Sequence, residues 1–379
     1  MSKKAKKPFG KMWQVIVVAV IFAAVGCAYK LLHPRANVST KPLSRAVLEL
    51  AEAEVRKTKP EPTLAALQYA YVASGYYEGA YTGNQAEALY VSEQLLNTLY
   101  APDTFTSSIS TLAKQYHVNI KNYATSNAKN VASAYLNRYK KDGHDLVWDG
   151  KMPVGVQYWY KTKDAEPFTP RAGEWKRWNV TSKISVPAPP VIGSAQDAKE
   201  LQIVQVAAEN RTGEDINKIN FWGGTPGTDS PSGIWQNQLF LEIGNELTKN
   251  KHQADLKYAY IQKYTAQSVS DAFMECWKVK YTYWTARPSM RIAGFSTAMP
   301  DPYFPAYVSG HSTISKAAAD VLSVMVPAHT KQWQDWAVEA RNSRLAAGVH
   351  FEIDNTVGFQ LGTDVAKQEV AANKLTQQL

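Results

Sequence analysis

The stretch QADLKYAYIQKYTAQSVSDAFMECWKVKYTYWTA, residues 253–286, carries a sustained helical pattern that stops at Arg287-Pro288. Proline just past such a run is an expected stop, because it lacks an N–H and its ring clashes with the preceding turn. Outward from this run the same periodicity recurs. Upstream it covers LSRAVLELAEAEVRKT (43–58), TLAALQYAYVASGYYEGAY (63–81), NQAEALYVSEQLLNTLY (84–100), SSISTLAKQYHV (107–118) and SNAKNVASAYLNRYKKDG (126–143). It resumes in SAQDAKELQIVQVAAENR (194–211) and SGIWQNQLFLEIGNELT (232–248), and downstream in STISKAAADVLSVM (312–325). No comparable series of alternating strands is present. The expected fold is all-α, one helical domain over 43–379. Residues 144–194 stand apart, rich in Trp, Tyr, Pro and Lys, and read as an irregular insertion or a pair of short strands. Loops of that length inside a domain are often functional. Tyr158, Trp159, Tyr160, Trp175 and Trp178 either line the mouth of a cleft or pin the insertion to the helical body.

Apolar residues make up 45% of the 379, enough for a sizeable core. The net charge is +9, yet six lysines fall in the first thirty residues, which contain no acid. The remainder carries only +3, so the basic balance is mostly a tail effect and makes no case for nucleic-acid binding. Two cysteines, Cys27 and Cys276, support neither a disulfide framework nor a cysteine zinc site. Residues 12–29, MWQVIVVAVIFAAVGCAY, are apolar except for Gln14 and follow five lysines. That pattern keeps the lysines cytoplasmic and puts the rest of the chain outside the membrane. Residues 1–32 therefore read as a membrane anchor, a cleaved signal, or a lipoprotein signal ending in AAVGC with Cys27 lipidated. HPRANVSTKP, 33–42, reads as a linker.

Chemistry concentrates in KYTYWTARP (280–288), SGH (309–311) and SRLAAGVHFEID (343–354). Lys280 and Arg287 are seven apart, about two turns, which predicts one shared face of the long helix. Two cations against the aromatic filler YTYWTA call for a compensating anion, whereas the bland alternative is a solvated basic stripe. Ser309-Gly310-His311 sits at the entry to a helix, where backbone amides attract anions and Gly310 lets them approach closely. The bland alternative there is a serine N-cap beside an incidental histidine. His350 and Asp354 stand four apart, on one face if a helix resumes after Gly348. A carboxylate beside an imidazole fixes its tautomer and raises its basicity, and an ordinary helix-face pair would look the same.

In this order and spacing the three stretches resemble the signature of the superfamily shared by type 2 phosphatidic acid phosphatases and vanadium-dependent haloperoxidases. Lys280 to Arg287-Pro288, Ser309 to His311, and Ser343-Arg344 to His350 to Asp354 keep every spacing of that signature. Val308 stands where the family usually has proline, which should loosen the turn without removing a ligand. RTGEDINKINFWGG, WKVKYTYWTARP and DPYFPAYVSGHS look like the longer, soluble-domain bacterial haloperoxidase branch. The resemblance implies that Lys280, Arg287, Ser309, Gly310 and Arg344 hold the equatorial oxygens of vanadate or phosphate. It implies that His350 bonds vanadium or attacks phosphorus, that His311 is the acid/base on the opposite side, and that Asp354 orients His350.

Three functions are compatible with these residues. One is a haloperoxidase that oxidises halide with hydrogen peroxide at bound vanadate. Another is a phosphomonoesterase working through a phosphohistidine without a cofactor, and the third is an envelope protein that binds an oxyanion without turnover. The signature itself does not separate the first two, because the same donors suit either anion.

Overall fold

Lys251–Tyr283 form one 33-residue helix, about 50 Å long at 1.5 Å per residue, and the other helices are arranged around it. The computed structural model describes residues 41–162, 166–224, 227–244 and 251–379. Its helices are α1 (Leu43–Thr58), α2 (Pro62–Thr82), α3 (Gln85–Leu99), α4 (Thr106–Gln115), α5 (Ser126–Tyr139), α6 (Ala195–Glu209) and α7 (Gly213–Trp222). They continue with α8 (Ser230–Ile243), the central α9 (Lys251–Tyr283), α10 (Pro288–Arg291), α11 (Gly310–Met325), α12 (Thr330–Ala346) and α13 (Glu352–Asn373). No strand occurs among the described residues, so the all-α expectation holds.

The central helix α9 packs against α1, α2, α8, α11 and α13. It is buried on most of its circumference, with Tyr258, Ile261, Phe273, Met274 and Trp277 among its apolar contacts. Its buried polar groups are tethers. Asp255 accepts from the Ser44 amide and hydroxyl (2.9 and 2.8 Å), Tyr76 Oη (2.6 Å) and Gln85 Nε2 (2.9 Å), which fixes α1, α2 and α3 to one carboxylate.

The helices α11 and α13 pack closely, and two glycines one turn apart make that possible. A Cβ on Gly362 would lie 2.3 Å from the Thr313 carbonyl oxygen, and one on Gly358 2.8 Å from that of Ser309. Only glycine tolerates such an approach.

Residues 144–194 form the irregular insertion, with one 3-10 turn at Ala172–Glu174 and an isolated antiparallel bridge from Tyr158 to Thr285. The insertion is strapped across α9. Asp271, in the middle of α9, accepts the backbone N–H groups of Trp178, Asn179 and Val180 at 2.8–3.0 Å. A Cβ on Gly173 would lie 2.5 Å from Lys278 Cα. Trp159 and Trp175 are buried and Trp178 packs edge-on against Tyr71. These aromatics pin the insertion, Tyr160 is exposed, and only Tyr158 faces a cleft.

No helix among the described residues is long and apolar enough to cross a membrane. The apolar segment 12–29, with Cys27, lies outside the described residues, as does most of the linker.

Candidate active site

Lys280 sits on the last turn of α9. Arg287 does not share its face, because the helix ends at Tyr283 and Trp284 turns the chain with φ 52°. The insertion captures the segment that follows. Trp159 N–H donates to Trp284 O (2.6 Å) and Ala286 N–H to Gln157 O (3.0 Å). Pro288 then opens α10 with Arg287 as its N-cap residue, a position that suits a proline at the first helical residue. Lys280 and Arg287 therefore converge from a helix end and from a turn. Their aromatic neighbours are Phe304, 5.0 Å from each, and Trp277, 5.7 Å from Lys280. The YTYWTA filler is not the partner that the spacing predicts.

Ser309 is the N-cap of α11, its hydroxyl accepting from Ser312 N–H at 3.4 Å. Its own N–H donates to the Asp354 carbonyl at 2.9 Å. Val308 is buried, its carbonyl 3.5 Å from Cys276 Sγ. Gly310 is buried, yet a Cβ built on it would meet only one ring carbon of Trp277, at 3.5 Å. Arg344 lies in the last turn of α12. His350 precedes α13 instead of riding on it, and Asp354 is the third residue of that helix. The pair is thus a helix-entry arrangement, not a helix-face one. Asp354 Oδ2 accepts the N–H of the N-cap residue Phe351 and faces His350 Nδ1, both at 3.1 Å.

All three cations are buried, and none of their hydrogen bonds goes to a carboxylate. Lys280 Nζ donates to the carbonyls of Pro305 (2.8 Å) and Ala306 (2.9 Å). Arg287 donates to the Phe304 carbonyl from Nε and Nη2 (3.1 and 2.8 Å), to Val349 O (2.7 Å) and to His350 Nε2 (3.1 Å). Arg344 donates to Ile219 O (3.1 Å), Ser343 Oγ (3.0 Å) and Met299 Sδ (3.1 Å).

The tautomers follow from these partners. Arginine has no acceptor, so His350 Nε2 holds a lone pair toward Arg287 and Nδ1 carries the proton toward Asp354. His311 Nε2 lies 2.6 Å from the Trp222 carbonyl. A carbonyl only accepts, which leaves His311 Nδ1 as the basic nitrogen.

Burial dominates the electrostatics. It pulls the Lys280 ammonium well below its ordinary value, with Arg287 adding to the effect. Burial also lowers both guanidinium groups, and Arg287 contributes to the shift at Arg344; both stay charged at neutral pH. Both histidines are pushed down by burial and by the same cations, His350 chiefly by Arg287 and His311 chiefly by Arg344. Asp354 is pushed up by burial, against the attraction of Lys280. Three cations thus surround two neutral imidazoles, with one carboxylate, Asp354, against His350.

Sequence reasoning missed the carbonyls that hold these donors. Ile219 and Trp222 end α7, whose terminal carbonyls have no partner within the helix. They take the Arg344 and His311 protons, at the end of the helix dipole that favours positive charge. The start of α7 does carry a local signal, Thr212 with Asp215 in a reciprocal capping box. The Phe304–Ala306 carbonyls and Met299 have no sequence signal of their own.

The model of the VCPO second helical-bundle domain matches residues 323–378, which contain Arg344, His350 and Asp354. Among solved structures, the fold is similar to that of the first bacterial vanadium-dependent iodoperoxidase, with a TM-score of 0.74. That likeness runs at 19% identity over 91% of this chain and 99% of the other. A bacterial vanadium-dependent chloroperoxidase in its holo form aligns with a TM-score of 0.64 and 11% identity, over 92% of this chain and 97% of the other. The chain has the fold of the vanadium haloperoxidases, and the family match covers residues 323–378. No curated protein matches the sequence. At such low identity the structural likenesses speak for the superfamily fold alone, and the reaction has to be argued from the site.

The residues present fit the oxyanion that this superfamily implies. The buried cations have no carboxylate partner, the direction a Gly310 Cβ would take is nearly free of protein atoms, and His350 presents a lone pair. Among the described residues no cluster of three His, Cys, Asp or Glu could hold a metal cation.

Proposed function

We propose that the protein is a vanadium-dependent haloperoxidase that oxidises halide with hydrogen peroxide. One observation carries the reading. Among the described residues the other fully buried arginine, Arg45, is charge-paired with Glu52 (2.6 Å), and the half-buried Arg291 is paired with Asp197 (2.6 Å). Arg287 and Arg344, together with Lys280, are as deeply buried and hold only neutral acceptors. An uncompensated buried charge is costly, and a bound oxyanion removes that cost.

Vanadate, when bound, would supply the Lewis-acidic centre at which peroxide is activated toward halide. Lys280, Arg287 and Arg344 would hold its oxygens, with the Ser309 hydroxyl and the Gly310 amide. His350 Nε2 would be the protein's bond to vanadium, its tautomer fixed by Asp354. His311, neutral and basic at Nδ1, would accept the proton that peroxide loses on binding. The peroxidase reading is favoured over a phosphatase by the structural likeness to bacterial vanadium-dependent iodo- and chloroperoxidases. We place the catalytic domain on the outer side of a membrane reached by segment 12–29, which fractionation of the full chain would check.

The deciding experiment assays one preparation with and without orthovanadate. The proposal expects vanadate-dependent oxidation of iodide or bromide, lost in His350→Ala. Hydrolysis of an aryl phosphate with no halide oxidation would replace it with phosphomonoester chemistry through His350. Vanadate binding with neither activity would leave an oxyanion-binding protein.

A further inference from the structure

Arg344 gives one of its guanidinium nitrogens an unusual acceptor. Nη1 lies 3.1 Å from Met299 Sδ, while its other partners are a hydroxyl and a carbonyl. A thioether is a weak acceptor, so this donor is poorly satisfied by the protein and well placed to turn to an oxyanion. Met299 is half-buried on the segment between α10 and α11, within reach of a small reagent. It is held firmly: Ala298 N–H donates to Ala347 O at 2.9 Å, and Thr297 Oγ1 to the Met299 carbonyl at 2.7 Å. Met274 and Met325 are fully buried in the core, and Met290 is half-buried.

We propose that Met299 is a self-oxidation site, converted to its sulfoxide by the hypohalous acid made at the adjacent centre, and that the sulfoxide then competes with the oxyanion for Arg344. The inference rests on the peroxidase reading. In the step, the thioether sulfur gives up two electrons and gains the oxygen of hypohalous acid. The halogen takes those electrons and leaves as halide, with one proton released to water. The S–O group is polar where the thioether is soft and weakly accepting. It therefore offers Arg344 Nη1 a strong neutral acceptor at the place where the thioether stood. The guanidinium is drawn from the anion, and turnover limits itself. Methionine sulfoxide is reducible by dedicated reductases, so the change is reversible.

The full chain, loaded with orthovanadate, is incubated with peroxide and iodide and digested with trypsin. Cleavage after Lys280, Arg291 and Lys316 separates Met290, in peptide 281–291, from Met299, in peptide 292–316. The Met299 peptide should gain one oxygen several-fold faster than the Met290 peptide, and only when vanadate, peroxide and halide are all present. After vanadate is removed, the oxidised protein should bind inorganic phosphate about tenfold more weakly, the loss of roughly one charge-assisted hydrogen bond, and sulfoxide reductase should restore the affinity. Met299→Leu conserves volume and should slow the decline of halide oxidation during turnover several-fold, measured against its own initial rate. Equal oxidation of both peptides, halide oxidation with Met299 intact, or unchanged phosphate affinity would overturn this proposal alone. Absence of halide oxidation in the same sample would overturn the peroxidase reading and the proposal with it.

Discussion

Replacing Asp354 with asparagine tests the site at the point where orientation and charge are joined. In the native chain Oδ2 faces two N–H donors, His350 Nδ1 and Phe351 N, each at 3.1 Å. The asparagine carbonyl, in the place of Oδ2, can keep both donors, so Nδ1 retains its proton and Nε2 its lone pair toward Arg287 Nη1, 3.1 Å away. What is lost is the charge of the acceptor, and it is that charge which makes the lone pair more basic. A hydrogen bond to a charged group contributes about 1.5–3 kcal/mol against about 0.5–1.5 for a neutral one, a difference of about 1 kcal/mol or roughly fivefold in affinity. Calorimetric titration of D354N with orthovanadate should show a loss of that size. Thermal stability should move the other way. Asp354 is an acid whose folded pKa is raised by burial, so above that pKa its ionised form opposes folding, and neutralising it removes the opposition. At pH 8 the anion-free D354N protein should melt no lower than the native one. Vanadate bound as tightly by D354N as by the native chain would refute the role given to the Asp354 charge. A lower melting temperature with unchanged affinity would reduce Asp354 to a helix cap.

Three further outcomes are expected. Burial lowers the Lys280 ammonium to about 7, and an anion binds its protonated form, so affinity should fall as pH rises above that value. Sulfate, whose own charge is constant there, is the probe, and calorimetry in buffers of different ionisation enthalpy should detect proton uptake on binding. Gly310→Ala places a methyl where only Trp277 comes near, at 3.5 Å; vanadate affinity should drop at least about tenfold, while stability stays within ~0.5 kcal/mol. Asp271→Ala leaves three amide N–H groups without their carboxylate. It should cost about 3 kcal/mol or more in urea unfolding and hasten tryptic cleavage after Arg177 and Lys183.

Much of the bundle is legible because its helices carry their own punctuation. LSRAVLELAEAEVRKT coincides with α1, whose chain reverses at Lys59 with φ 54°. The run ending at Ala286 overshoots α9 by three residues, since the capture of Trp284 and Ala286 by the insertion is a tertiary contact with no local signal. The α7 segment is legible only at its capped start: GEDINKINFW has few apolar positions, of which Ile219 and Trp222 are buried. The donors are legible because each needs a particular side chain at a particular spacing. Their geometry was not, and both pairs expected to share a helix face meet across helix ends instead. Backbone carbonyls hold the donors in place, and a carbonyl is the same whatever residue carries it.

That last point bears on how the pocket works. A carboxylate beside Arg287 or Arg344 would hold the guanidinium firmly, as Glu52 holds Arg45, but it would also cancel the charge an oxyanion is meant to meet. Phe304, Pro305, Ala306, Val349 and Ile219 offer only carbonyl dipoles to the three cations. Dipoles orient a donor while leaving its net charge available, so little has to rearrange when the anion arrives. The arrangement should be weakest where the holding group is not a carbonyl. Arg344 leans on the Met299 thioether, and Arg287 spends one donor on the His350 nitrogen that the oxyanion needs. Under the proposed function, binding would displace one existing contact, Arg287 to His350 Nε2, and swing Arg287 toward the oxyanion. Arg287→Lys keeps the charge and gives up the planar fork. It should free the His350 lone pair yet hold the anion less well, raising the dissociation constant for vanadate while the tautomer of His350, read by nitrogen NMR, stays unchanged. A shift of that tautomer in the lysine variant would mean that Arg287, and not Asp354, sets it.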